Sequence, residues 1–307
     1  MPDACAAAPP GCHDEKNQAR GVARSSDTPS KSGYTVALMD PFKRLAIRLL
    51  SRSSNRHRAA TVFQIASRSL GLGGNPTIYE SGEVAFLRRY LRSLGPSPLV
   101  FDVGANRGEY ALAVRDIRPE AHVVAFEPNP ELVETLERIS GTRLKVVNAA
   151  CGAAEGESVL YTDADATGSG FATMERETLA LRPVSAVAQH KVKTLRLDDF
   201  MRDEGIATVD LLKIDAEGHE LQILHGARQA LDRGAIACVQ FEFNAGHALA
   251  RVFLRDFKQA LPGHRFFRLA PGGLVPLGAY RPETWEIYLQ QNIVALLPEA
   301  EKAIGAG

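Results

Sequence analysis

The strongest constraint on this chain is an alternation that begins at residue 99. Short apolar runs at 99–103, 122–126 and 144–148 read as buried strands, and the amphipathic stretches 109–118 and 130–139 between them as helices. The rhythm resumes with strands at 209–214 and 236–243, helices at 218–231 and 248–261, and two final strands at 265–269 and 286–297 around the Gly- and Pro-rich 271–282. Strands separated by helices of about three turns must cross over rather than turn back, which builds a parallel sheet covered on both faces. The expected fold class is α/β, doubly wound and mostly parallel. Residues 156–200 interrupt the rhythm: 158–161 and 191–197 read as strands, 168–170 as a mobile loop, and Asp198-Asp199 as the cap of a short helix. One domain with an insertion is the simplest organisation.

Upstream, residues 81–94 form a helix with Val84, Phe86, Leu87, Tyr90 and Leu91 on its apolar face, stopped by Gly95-Pro96-Ser97-Pro98. Residues 1–35 hold only Val22 and Tyr34 as sizeable apolar side chains and read as disordered, because too little surface is buried to offset ordering entropy. The 36 basic and 36 acidic residues cancel, so no nucleic-acid partner is expected. The balance is uneven: residues 1–60 hold ten Lys/Arg against five Asp/Glu, leaving 26 against 31 beyond. Phe42, Leu45, Ile47 and Leu49 among Lys43, Arg44 and Arg48 make a basic amphipathic helix, read preferentially as packed on the main domain, the alternative being peripheral membrane contact through residues 41–58. No run approaches the roughly 20 apolar residues of a membrane span, and no secretory signal pattern opens the chain, so a cytoplasmic location is the expectation. Four scattered cysteines make neither a disulfide framework nor a C-x-x-C site.

The first strand runs into Asp102-Val103-Gly104-Ala105-Asn106-Arg107-Gly108. Gly104 permits a tight turn and Gly108 lets the next helix start beside the strand. Ligands of open α/β sheets lie at the carboxyl ends of strands, so a nucleotide-like ligand is expected here. The loop lacks the second glycine of G-x-G-x-x-G, and no Gly-Lys-Ser/Thr closes it, which excludes the dinucleotide loop and the P-loop. Asp102 opposes a phosphate and favours a cationic ligand; S-adenosylmethionine carries a sulfonium, an ammonium and no phosphate. The second strand ends Phe126-Glu127-Pro128, a carboxylate where ribose hydroxyls bind in this class of sheet. The third ends Asn148-Ala149-Ala150-Cys151-Gly152, suited to a flat adenine edge or to an ordinary turn.

The densest cluster is Lys213-Ile214-Asp215-Ala216-Glu217-Gly218-His219-Glu220. Alternation puts Lys213 and Asp215 on one face, and three carboxylates with a histidine exceed what a helix cap needs. The next strand ends Gln240-Phe241-Glu242-Phe243-Asn244, which directs Asp215, Glu242 and Asn244 at one crevice. These oxygens suit Mg²⁺ or Ca²⁺, or the positioning and deprotonation of a substrate hydroxyl. Trp285, Tyr280 and Phe171 could stack on a sugar or an apolar ring, or equally pack a core.

The ordered string FDVGANRGEY (101–110), FEPNP (126–130), VVNAACG (146–152), TLRLDDF (194–200), LLKIDAEGHELQILHGA (211–227) and FEFN (241–244) resembles the FkbM-type methyltransferases. The resemblance implies the seven-stranded class I methyltransferase fold over residues 98–298, after an N-terminal helical segment at 36–97 and before a tail at 299–307. It implies S-adenosylmethionine as cofactor, held by Asp102, Gly104, Ala105, Asn106, Gly108, Tyr110, Glu127, Pro128, Asn148, Ala149, Ala150 and Asp215. Asp215, His219, Glu217 and Lys213 are the implied catalytic residues, with Asp215, Glu242 and Asn244 the candidate set for Mg²⁺. The implied reaction is in-line O-methylation of a hydroxyl on a sugar, glycan or polyketide-type small molecule. N-methylation on the same fold, or a non-catalytic cofactor-binding or membrane-docked scaffold, are the alternatives.

Overall fold

The computed structural model describes residues 40–74, 77–164, 172–181 and 186–305. The expected leader at 1–35, the loop at 168–170 and Phe171 lie outside the described residues. The chain divides into two compact units, Met1–Leu49 and Leu50–Gly307. In the first, the helix Pro41–Leu50 begins as expected, and none of its residues is buried. The second opens with a helix that the periodicity did not announce, Arg56–Ser69. No helix among the described residues is long and apolar enough to cross a membrane.

Twelve strands follow among the described residues: β1 (Leu99–Val103), β2 (His122–Phe126), β3 (Leu144–Val147), β4 (Ala150–Cys151), β5 (Gly156–Asp163), β6 (Ala172–Thr173), β7 (Val187–Leu195), β8 (Leu211–Ile214), β9 (Cys238–Phe243), β10 (Arg265–Ala270), β11 (Gly273–Pro276) and β12 (Gln291–Leu296). The main sheet runs β11-β10-β12-β9-β8-β1-β2-β3. β3, β2, β1, β8 and β9 are mutually parallel, while β12 lies antiparallel to both β9 and β10. The sheet is doubly wound, and its eighth strand is a departure from the expected seven. Gly273–Pro276, read from its glycines as a connector, turns back on β10 as an antiparallel edge. The chain leaves β1 toward β3, then returns to place β8 on the other side of β1, so the switch point lies between β1 and β8.

Period-2 alternation divides the core. Phe101, Val103, Leu212, Ile214, Val239 and Phe241 pack on one face, and Val100, Val123, Leu211, Cys238 and Val294 on the other. The helix Glu83–Ser93 covers the second face with Val84, Phe86, Leu87, Tyr90 and Leu91, all buried, each contributing roughly 1.5–3 kcal/mol. The expected helices 218–231 and 248–261 are each broken, into Glu220–Gly226 and Arg228–Asp232, and into Ala245–Leu249 and Leu254–Ala260. The supposed tail is a helix, Pro298–Ala303, followed by a buried Ile304. The insertion forms its own sheet, β4-β7-β5-β6, built on the antiparallel pair β5 and β7. Trp285 is a core residue, packed against Phe266 and Tyr280 and donating its indole N–H to the Leu277 carbonyl.

Candidate functional site

At the switch point the ends of β1 and β8 nearly touch. Gly104 has φ +78°, and a Cβ there would sit 1.9 Å from the Asp215 carbonyl oxygen, so the glycine answers a backbone crossing rather than only a ligand's approach. The Gly104 and Ala105 amides donate to the Phe126 carbonyl, which binds the loop to the end of β2. Glu127 completes that tie: Oε2 accepts from the Asn106 amide at 2.8 Å and Oε1 from the Asn129 amide at 2.9 Å. Burial raises the Glu127 carboxyl and the two amides only partly offset it.

A cavity of about 270 Å³ opens here, lined by Gly104, Asn106, Glu127 and Pro128 on one side and by Phe126, Leu132, Ala149, Ala150, Cys151 and Leu160 on the other. The lining combines a run of apolar side chains with a carboxylate, which suits a ligand bearing both an apolar ring and hydroxyls, as a nucleoside does. Asp215, Glu217, Glu242 and Gln290 line its far part. A second, polar cavity adjoins it through Gly104, Asn106 and Asp215, and is lined also by Asp102, Ala105, Tyr110, Lys213 and Glu83.

Around these two cavities Glu83, Asp102, Glu109, Glu127, Asp215, Glu217 and Glu242 face only Arg107 and Lys213 among the described residues. Lys213 is 3% exposed, and its Nζ lies 2.9 Å from Asp215 Oδ2. Burial pulls the Lys213 ammonium down, but Asp215, Glu83 and Asp102 outweigh it and hold it above its ordinary value. Asp102 is buried with one carboxylate oxygen, Oδ2, lacking any partner, and burial pushes its pKa up to about 7 despite Lys213. Glu83 comes from the helix before β1. Its carboxylate accepts from Ser81 Oγ and from Gln240 Nε2 at 2.7 Å, while Gln240 Oε1 accepts from the Tyr110 hydroxyl. A buried surplus of carboxylates is costly unless a cation joins it. That donor set, with its orphaned oxygen, fits a ligand bearing positive charge.

The turn after β8 is held from below. Glu220, fully buried, accepts from the Ala216 amide through Oε1 and from the Gly218 amide through Oε2, each at 2.9 Å. His247 Nδ1 accepts from the Asn244 amide, which leaves Nε2 to face Glu220 Oε2 at 2.9 Å. Burial alone would raise the Glu220 carboxyl; His247 and the turn's amides outweigh it and keep it low. This buried brace sets Glu217 at φ +50° and presents its side chain to the cavity. His219 points elsewhere. Its Nδ1 lies 2.7 Å from Glu175 Oε1, and its Nε2 sits near Gly152 under the insertion. It lines none of the cavities around Asp215.

Glu242 projects from the end of β9 into the same space as Asp215. Its oxygens accept from Asn244 Nδ2 and, at 2.9 Å, from Gln290 Nε2. Burial, and next the charge of Asp215, push the Glu242 carboxyl up to about 7. The geometry lends the Mg²⁺ set no support. Asn244 gives its amide nitrogen to Glu242 and accepts from the Gly246 amide through its oxygen as a helix cap, so both ends of its side chain are already engaged. The described residues contain no group of three or more His, Cys, Asp or Glu able to hold a metal ion.

Of the expected cofactor residues, Asn148 donates its amide to the Glu127 carbonyl and is exposed outside the cavity, and Gly108 packs beneath Ile139 and Leu136. The others line one cavity or the other. Glu83 and Gln290 were not anticipated: neither belongs to a motif, and only tertiary contacts, with Gln240 and with Glu242, bring them to the site.

Curated relatives include the hexuronic acid methyltransferase AglP of Haloferax volcanii, 28% identical over 54% of this chain and 64% of the relative. The 2-O-methyltransferase NoeI of Sinorhizobium fredii is 25% identical over 45% of this chain and 60% of the relative. The 31-O-demethyl-FK506 methyltransferase FkbM of Streptomyces tacrolimicus is 31% identical over 49% and 71%. The chain thus spans less than two thirds of the length of the first two. Residues 102–264, over half the chain, match the methyltransferase FkbM domain. That span runs from the acidic start of the glycine loop through β9, and the chain belongs to the FkbM methyltransferase family.

Proposed function

We propose that the protein is an S-adenosylmethionine-dependent O-methyltransferase acting on a hydroxyl of a sugar, glycan or polyketide-type small molecule. The observation that carries this reading is the pairing of two adjoining cavities, one partly apolar and the other rich in carboxylates, with a buried carboxylate, Glu242, that lines the first. Among the named relatives, one is a hexuronic acid methyltransferase, and the names of the 2-O-methyltransferase and the 31-O-demethyl-FK506 methyltransferase favour oxygen as the acceptor.

Glu127 and the apolar wall from Phe126 to Leu160 would hold the nucleoside, and Asp102, Glu83 and Lys213 the amino-acid end. When bound, S-adenosylmethionine supplies an electrophilic methyl carbon on a positively charged sulfur. The protein's own task is then to bring a hydroxyl oxygen to that carbon and remove its proton. Glu242, pushed up to about 7, is matched to take a proton near neutral pH. Asn244 and Gln290 fix its rotamer with one hydrogen bond to each oxygen. Lys213 gives Asp215 a fixed counter-ion beside it. Isothermal titration with S-adenosylmethionine tests the reading; folded protein that releases no heat at millimolar ligand overturns it.

A further inference from the structure

Between Asp40 and Glu80 the chain carries seven Lys/Arg and not one carboxylate, although the whole sequence is neutral. The helix Arg56–Ser69 falls inside this stretch. Its apolar residues Ala59, Val62, Phe63, Ala66 and the capping Leu70 recur at helical spacing and form one stripe. That stripe is uncovered: Val62 is 50% exposed, Phe63 60% and Leu70 49%, and Ser67 is the helix's sole buried residue. Arg56 and Arg58 flank it. The helix Pro41–Leu50, taken by itself, repeats the design with Phe42, Leu45 and Leu49 beside Lys43, Arg44 and Arg48, and none of its residues is buried.

We propose that the helix Arg56–Ser69, preceded by the like-built Pro41–Leu50, docks on the surface of an anionic lipid bilayer. An apolar stripe flanked by cations matches the boundary between acyl chains and negative headgroups. A second copy of this chain is a poor occupant, because it would set one carboxylate-free basic stretch against another. The position in the fold gives the docking a use. Just beyond the helix, the Gly73 and Gly74 amides donate to the Gln290 carbonyl, and Gly71 and Gly74 share a cavity with Asp215, Glu242 and Gln290. A bilayer held by this helix would lie close to the place where the acceptor hydroxyl is activated, so the surface suits an acceptor presented at a membrane.

Co-sedimentation of the full chain with vesicles tests this, comparing phosphatidylcholine alone with phosphatidylcholine containing about a third phosphatidylglycerol. The expected result is binding to the anionic vesicles only, lost when salt rises from about 0.1 M to about 1 M and the screening length falls from about 10 Å to about 3 Å. Phe63→Asp, and separately Arg56→Glu with Arg58→Glu, should each lower the bound fraction at least tenfold while thermal unfolding is unchanged, since these side chains are exposed. Three results overturn the proposal: no binding to anionic vesicles, equal binding to neutral ones, or a dimer in solution that Phe63→Asp dissolves.

Discussion

Replacing Glu242 by Gln should make the protein more stable and nearly inactive at once. Lifting a buried carboxyl from 4.5 to about 7 corresponds to about 3 kcal/mol against its ionised form in the fold, at 1.36 kcal/mol per pH unit. The sign follows from the direction. A folded-state value above the unfolded one adds stability that is fully present below pH 4.5 and is lost as pH rises to about 7. An amide of the same shape carries no such loss. It can still accept from Asn244, but one of its faces now meets the Gln290 donor, and turning that contact round costs about 1 kcal/mol. The net expectation at pH 8 is stabilisation by about 2 kcal/mol, shrinking to nothing or reversing by pH 5. Urea unfolding followed through the buried Trp285 would measure it. Turnover should fall by about 10²-fold or more, and the activity that remains should no longer rise through pH 7. Equal stabilities at pH 8, with the activity limb near pH 7 intact, would refute the assignment of Glu242 as the buried base.

Four further substitutions probe the rest of the site. Gly104→Ala should abolish ligand binding and lower the unfolding midpoint, because its Cβ would overlap the Asp215 carbonyl, which the sheet cannot move. Glu220→Ala strips the acceptor from two turn amides and from a buried His247, and should cost about 3–5 kcal/mol in urea unfolding at pH 7; a smaller loss would mean the brace is not structural. Glu83→Gln should weaken S-adenosylmethionine about tenfold by calorimetry yet leave 5′-methylthioadenosine, which lacks the amino-acid end, unaffected. A purely architectural Glu83 would change both alike. His219→Ala, whose ring faces Glu175 rather than the cavity, should keep turnover within about tenfold of the starting protein.

The parallel core was legible because its signal is local. Each run such as 99–103 or 211–214 is apolar but for one charged residue, and each intervening segment repeats at the helical period, so the chain states its own alternation. Element ends were less legible where cohesion is tertiary. The break between Gly226 and Arg228 depends on Gly226 lying against the Gly152 carbonyl, a contact across the fold that no local pattern encodes. The strand Gly273–Pro276 forms on glycine-rich sequence because β10 offers it an open edge.

The site shows the same division. The sequence by itself determined that carboxylates gather at the strand ends, since Asp102, Glu127, Asp215 and Glu242 each close an apolar run and β geometry sends chain ends to one rim. Their tasks were decided by tertiary structure. Glu220 and His219 stand side by side in the sequence, yet one is a buried brace for the turn and the other faces the insertion. Asn244 stands two residues from Glu242 and serves it as a hydrogen-bond donor. Gln290 and Glu83 carry no motif and still complete the cavities. A carboxylate's chemistry is set by its burial, its hydrogen bonds and the charges within a few ångströms, and those neighbours come from segments more than a hundred residues apart.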